Sequence, residues 1–358
     1  MPTLGYRDRA SRLLQRTGGL ELLARLRAHR PSPWLTILTY HRVADPDAEA
    51  DVDREVIDAT PAQFEDQIAY LAKHYTFIGV DHLLHYTRTG SIPPNSVLVT
   101  FDDGYRDAIA TAVPILRRYG ARAVFFIATD YPDRGKLYWW DRIACLVRNS
   151  PRSRIEIAEP VSLELDLGAD REAAVRRAIS VAKRDPDLDL DAFVDALAEA
   201  SGAPWDENVE AALASRLIMS WEEVRRLVDL GMDVESHTRT HRILGHLGTE
   251  EAAWELYGSR EDLRQKLGYA PRALAYPVGA PLVHRRDLLG TVRDAGYSLG
   301  YTNCTGSNDL RRPLHPLDVS RIGMDVALSP ELFRAMLALP PIGHATWRRM
   351  RSRPRRRA

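Results

Sequence analysis

Residues 97–107 read VLVTFDDGYRD, a short apolar run that stops in two adjacent carboxylates and a glycine. Successive side chains on a strand point to opposite faces, so Asp102 and Asp103 would diverge if the strand ran on. A strand end with a solvated Asp-Gly turn explains the stretch without invoking any function. A site in which each carboxylate has its own task explains it equally well, and the rest of the chain must decide.

Runs of similar character recur at Leu35–Tyr40, Ala123–Ile127, Met232–Glu235, Arg272–Tyr276 and Tyr297–Thr302. Their β-branched and aromatic content predicts strands. Between them lie helical patterns at Pro61–His74, Ala108–Tyr119, Trp221–Leu230 and Thr249–Leu267, with Gly120, Gly231 and Gly268 as stop signals. Alternating strands and helices predict a parallel α/β architecture. Residues 131–218 depart from this rhythm. DRIACLVRNS, REAAVRRAISVAKRD and LDAFVDALAEA read as helices, and RIEIAEPVSLELDLG between them as a hairpin. This stretch is expected to form a mainly helical insertion or cap.

The 358 residues are 45% hydrophobic, enough for a sizeable core in one interrupted domain or two. No apolar run is long enough for a transmembrane helix. The arginine-interrupted N-terminus lacks the apolar core of a signal peptide. The expected location is therefore cytoplasmic, or peripheral at the cytoplasmic membrane. Cys145 and Cys304 are far apart and lack metal-like spacing. The zero net charge hides a segregation: residues 1–30 carry +5, residues 348–358 hold seven arginines, and the body between is −12. A solvated basic helix (1–33) and a disordered tail (346–358) are the plain reading. Peripheral contact with an anionic membrane is the alternative. The acidic body argues against a nucleic-acid partner.

DVESHTRTHRIL (233–244) follows another strand-like run and sets His237 and His241 four apart, on one face of a helical turn. That spacing suits two ligands of one ion, though two exposed histidines would show it too. RALAYPVGA (272–280) ends in a tight turn at Pro277 and Gly279. Each polar group follows an apolar strand, and in a parallel barrel those ends share one face. Asp102, Asp103, His237, His241 and Tyr276 could therefore converge. One Asp with two His leaves an ion an open position for water, and the other carboxylate is then a general base. This reading is metal-assisted hydrolysis without a named substrate.

TFDDGY, SHTRTH and AYPVG, in that order, resemble the polysaccharide deacetylases with the NodB homology domain, carbohydrate esterase family four. LTYHRV (38–43), WWDRIA (139–144) and DVSRIGM (318–324) look like its bacterial exopolysaccharide-type branch. The resemblance covers about residues 34–130 and 219–325 and implies a distorted (β/α)7 barrel, here 34–345 interrupted by 131–218. It implies removal of acetyl groups from N-acetylhexosamine units of a polysaccharide, oligosaccharide or glycolipid. By motif, Asp102 resembles the catalytic base, and Asp103, His237 and His241 the ligands of a divalent ion, with Zn2+ the first candidate. The backbone N–H of Tyr105 resembles the oxyanion donor.

The chain departs from the family pattern in two places. Ala275 stands where many members carry an arginine that orients the base, and the Leu-x-His motif of the general acid is not visible. His41 and His315 are the candidates for the acid, and Arg321 for the missing positive charge. Tyr276, Pro277, Trp140 and Arg321 are the expected substrate contacts, with helix packing the plainer role for Trp139 and Trp140. Two alternatives stay open: a carbohydrate O-acetyl esterase, and a carbohydrate-binding protein with a vestigial site.

Overall fold

The first barrel strand, β1 (Trp34–Tyr40), lies beside β2 (Ser96–Phe101) in parallel register, Tyr40 opposite Phe101. The computed structural model describes residues 2–22, 33–49, 52–304 and 306–339. The sheet continues through β3 (Ala123–Ile127), β4 (Asp233–Ser236), β5 (Ala273–Ala275) and β6 (Leu299–Thr302), every neighbouring pair parallel. Two short pieces then close the ring. β7 (Val319–Ser320) pairs with β6, and β8 (Ile322–Gly323) pairs with β1. Arg321 is the single residue between them, so the closing strand is interrupted at an arginine.

β1 to β6 are buried on both faces, which is why these runs read as nearly continuous apolar sequence. On β2, Leu98 joins Val124, Phe126, Ala273, Ala275 and Tyr301 in one cluster. Val97, Val99 and Phe101 face the other way, toward the helices. There Phe101 stacks on Tyr40 and Phe125, with ring centroids 5.4 and 4.9 Å apart. The helices cover this outer face. Pro61–His74 begins with a capping box from Thr60 and Gln63, and Trp221–Asp229 with one from Ser220 and Glu223. The expected helix at Ala108–Tyr119 opens with a wide π turn, Ala108–Ala112, before the α-helix Val113–Arg118.

Residues 131–218 form the helices Trp139–Arg148, Arg171–Arg184, Leu190–Ser201 and Glu207–Leu217 and an antiparallel hairpin, Arg154–Ile157 with Leu163–Asp166. They build an apolar cluster of their own that reaches the barrel at Val52, Tyr105 and Ala128. At the N-terminus, the helix Pro2–Arg16 packs on the helix Pro330–Ala338, and Leu20 is buried against Ala335 and Ala338. Leu23, Ala24 and Arg27 of this basic segment, and the Arg-rich tail, lie outside the described residues. Among the described residues no helix is long and apolar enough to cross a membrane.

Phe101→Ala should cost about 3–5 kcal/mol of stability, because it opens a void between two stacked rings that cannot easily collapse. Urea unfolding followed by tryptophan fluorescence reads this cost directly.

Candidate active site

Asp102 is the first residue beyond β2, and its N–H donates to the carbonyl of Tyr40. The strand alternation that turns Phe101 outward sends Asp102 inward. Asp103 then takes a left-handed backbone (φ 74°) and Gly104 follows at 91°, so the chain leaves the sheet at once. The two carboxylates do diverge, and both are buried, at 1% and 2% exposure.

Asp103 meets the two histidines. Its Oδ1 lies 3.2 Å from His237 Nε2 and 3.3 Å from His241 Nε2, and all three side chains are buried. His237 Nδ1 faces the carbonyl of Ala275 at 2.9 Å, so Nδ1 carries the proton and Nε2 offers its lone pair toward Asp103. The ligand atoms of the three residues lie within 4.8 Å of one another. Two ligands of a tetrahedral ion, each about 2.0–2.1 Å from it, stand about 3.3–3.4 Å apart, close to the spacing here. The donor set therefore fits a divalent ion. Burial opposes charge on Asp103, but the two imidazoles beside it hold its carboxyl far below the ordinary range. Burial lowers the His241 imidazole, favouring the neutral, ligating form.

Asp102 meets an arginine instead. Arg321, fully buried between β7 and β8, places Nη1 2.7 Å from Asp102 Oδ1 and Nη2 2.7 Å from Oδ2. Its guanidinium also donates to Thr100 Oγ1 and the Thr302 carbonyl and lies 5.5 Å from the Phe126 ring centre. Burial alone would raise Asp102, yet Arg321, joined by His237 and His41, keeps the carboxyl below its usual value. The positive charge missing at Ala275 thus arrives from the closing strand.

His41 follows β1 as Asp102 follows β2, which sets the two side by side at the same end of the barrel. Its Nδ1 lies 3.0 Å from Asp58 Oδ2, and its ring keeps 25% exposure. Burial disfavours the imidazolium, but Asp58, helped by Asp103 and Asp102, raises it to about 9. Asp58 carried no local signal, since its partner lies 17 residues away. His315 sits exposed in the turn before β7.

The loop bearing the two histidines is strained at Thr238 (φ 66°) and His241 (φ 59°). Glu255, 2% exposed, straps it down. Its Oε2 accepts from the N–H groups of Arg239 and Thr240 at 2.7 and 2.8 Å, and Thr240 Oγ1 donates to Oε1. A glutamate in mid-helix, at Thr249–Leu267, gave no hint of this in the sequence. On the other side the 131–218 segment forms a wall. Tyr138 donates to the Asp103 carbonyl, and the Trp140 ring meets His241 edge-on at 4.6 Å. Trp140 Nε1 donates to Tyr105 Oη, which donates to Asp141.

Four expected substrate contacts turn inward instead. Trp140 is 4% exposed and spends its ring on Tyr138 and His241. Tyr276 is 1% exposed and donates to the Leu317 carbonyl. Pro277 is buried in its turn, where Gly279 (φ 67°) packs so tightly that a Cβ would stand 2.2 Å from Asn303 Cβ. Arg321 belongs to Asp102. None of these side chains offers a free face to a sugar; in the structure they are buried in packing and positioning contacts.

One end of a parallel seven-stranded barrel thus gathers a buried Asp-His-His cluster beside an arginine-clamped carboxylate. The chain belongs to the polysaccharide deacetylase family, whose profile matches residues 89–157 and 193–300. It is 33% identical over 84 residues to the poly-beta-1,6-N-acetyl-D-glucosamine N-deacetylase of Staphylococcus aureus, and 29% over 103 residues to that of Staphylococcus epidermidis. These matches span 23% and 26% of this chain and only 29% and 36% of the relatives. The fold is similar to the Streptococcus pyogenes deacetylase PplD (TM-score 0.54, 19% identity, 84% of this chain and 96% of that one). It is also similar to IcaB from Ammonifex degensii (TM-score 0.52, 19% identity, 86% and 97%). The expected NodB-type barrel is thereby borne out.

Glu255→Ala should weaken divalent-ion binding by the Asp-His-His cluster about 10–100-fold, the usual cost of losing a group that orients ligands from behind. Glu255→Gln, which keeps an oxygen facing both N–H groups, should lose far less. Competition with a chromophoric chelator measures both.

Proposed function

We propose that this protein is a divalent-metal-dependent hydrolase that removes N-acetyl groups from N-acetylhexosamine units of a glycan. The observation that carries this is the division of labour at the strand end: one carboxylate faces two imidazoles, its neighbour an arginine. The named activity of the staphylococcal relatives supports a poly-N-acetylglucosamine-like substrate. A divalent ion at Asp103, His237 and His241 would polarise the acetyl carbonyl and make a water nucleophilic near neutral pH.

Asp102 is then the general base. Arg321 keeps it ionised and fixes its oxygens, leaving further lone pairs to accept the water's proton. The Tyr105 N–H, placed by the turn at Gly104, is the proposed donor to the oxyanion. His41, held charged by Asp58 and reachable from solvent, delivers the proton that the leaving amine needs. Pro277, Tyr276 and Trp140 shape the site from behind. An ester leaves without such help, so the His41–Asp58 pair favours the amide over an O-acetyl ester. The arginine clamp also removes the main argument for a vestigial binding protein, which was the missing charge at Ala275.

Acetate release from N-acetylglucosamine oligomers by the Zn2+-loaded enzyme tests this reading, and no release from any of them would sink it. His41→Ala should lower kcat on the N-acetyl substrate by about 10²–10⁴ and fall much less on an O-acetylated sugar. Activity on the amide should decline as pH rises through about 9, where His41 loses its proton. Asp58→Asn removes the chief cause of that elevation, so the alkaline limb should move to lower pH. A limb that stays in place would dismiss His41 as the acid.

A further inference from the structure

A cleft of about 1290 Å³ runs between the helix Thr249–Leu267 and the 131–218 segment, outside the catalytic cluster. It exceeds the ~300–1,000 Å³ that holds a drug-sized ligand, so it has room for several sugar units. A smaller cleft of about 440 Å³ has His241 in its wall and shares Trp139, Leu190, Asp191 and Arg242 with the larger one. The two clefts therefore adjoin, and the smaller one reaches His241 of the cluster.

The lining has two properties. It offers aromatic faces: Trp254 is 52% exposed although Arg239 covers one side of its ring at 4.6 Å, and Trp205 and Tyr131 stand in the same cleft. It is also acidic, with carboxylates outnumbering cations two to one. Two of those cations are already committed, Arg134 to Asp130 and Arg142 to Asp195. Lys136 and Arg242 remain, whereas Asp191, Glu207 and Glu250 form no ion pair among the described residues. A neutral acetylated glycan has no use for that excess. De-N-acetylation converts each neutral amide into an amine, which is cationic at neutral pH.

We propose that this cleft binds a de-N-acetylated, cationic stretch of the same glycan while an adjoining acetylated unit occupies the catalytic site. The inference rests on the hydrolase reading above. Aromatic rings hold the sugar faces and carboxylates the ammonium groups. The enzyme therefore prefers chains that already carry free amines, and successive cuts fall close together.

Calorimetric titration of the Zn2+-loaded full chain compares glucosamine hexamer with N-acetylglucosamine hexamer. The glucosamine hexamer should bind at least fivefold more tightly at low salt, and the advantage should shrink as sodium chloride is raised. Trp254→Ala and the double variant Glu207→Gln with Glu250→Gln should each lose at least fivefold on it. Their acetate release from N-acetylglucosamine dimer, too short to span both regions, should match the wild type. Equal binding of the two hexamers, no binding of the glucosamine hexamer, or wild-type binding by both variants overturns the proposal. Failure of the wild type to release acetate would overturn the hydrolase reading instead, and the binding comparison would still decide the cleft.

Discussion

The ion pair between Arg321 and Asp102 is the constraint around which the barrel end is arranged. Both groups are buried, and each would be prohibitively costly there without the other. Arg321 stands between β7 and β8, the two pieces that close the ring onto β6 and β1. Its guanidinium contacts Thr100 and the Phe126 ring and reaches Asp102 at the end of β2. Closure of the sheet and orientation of the carboxylate are thus one event. A barrel that failed to close would leave Asp102 buried without a counter-charge.

With one carboxylate held by an arginine, the other is free for the histidines. Asp103 can turn away only because its backbone enters the left-handed region, a strain that the surrounding structure must hold. Glu255 restrains the histidine loop from below, and Tyr138 and Trp140 press on Asp103 and His241 from the inserted segment. The insertion is therefore more than a lid. Its aromatic stem is part of the wall that fixes the cluster, and its outer helices form one bank of the acidic cleft.

Much of this was legible in the sequence. The six long strands announced themselves because buried strands are apolar on both faces, and Pro61–His74 and Thr249–Leu267 carried clear start or stop signals. The convergence of Asp102, Asp103, His237 and His241 followed from their positions just beyond strands, since a parallel barrel gathers those ends. The closing strand was not legible. It consists of two dipeptides around a charged residue, and no periodicity of apolar side chains marks so short a piece. From the sequence Arg321 was therefore both a candidate for the missing positive charge and an expected substrate contact, and only the closed barrel decides between them. Asp58 and Glu255 were hidden for another reason: their partners lie 15–17 residues away, and only the tertiary fold joins them.

On the proposed mechanism the adjacent carboxylates of TFDDGY have separate tasks. Bound Zn2+ and acetate release, measured side by side on purified Asp102→Asn and Asp103→Asn proteins, test it most directly. Asp102→Asn should keep stoichiometric metal but lose turnover, while Asp103→Asn should lose both. Full activity in Asp102→Asn, or retention of tightly bound metal by Asp103→Asn, would contradict it.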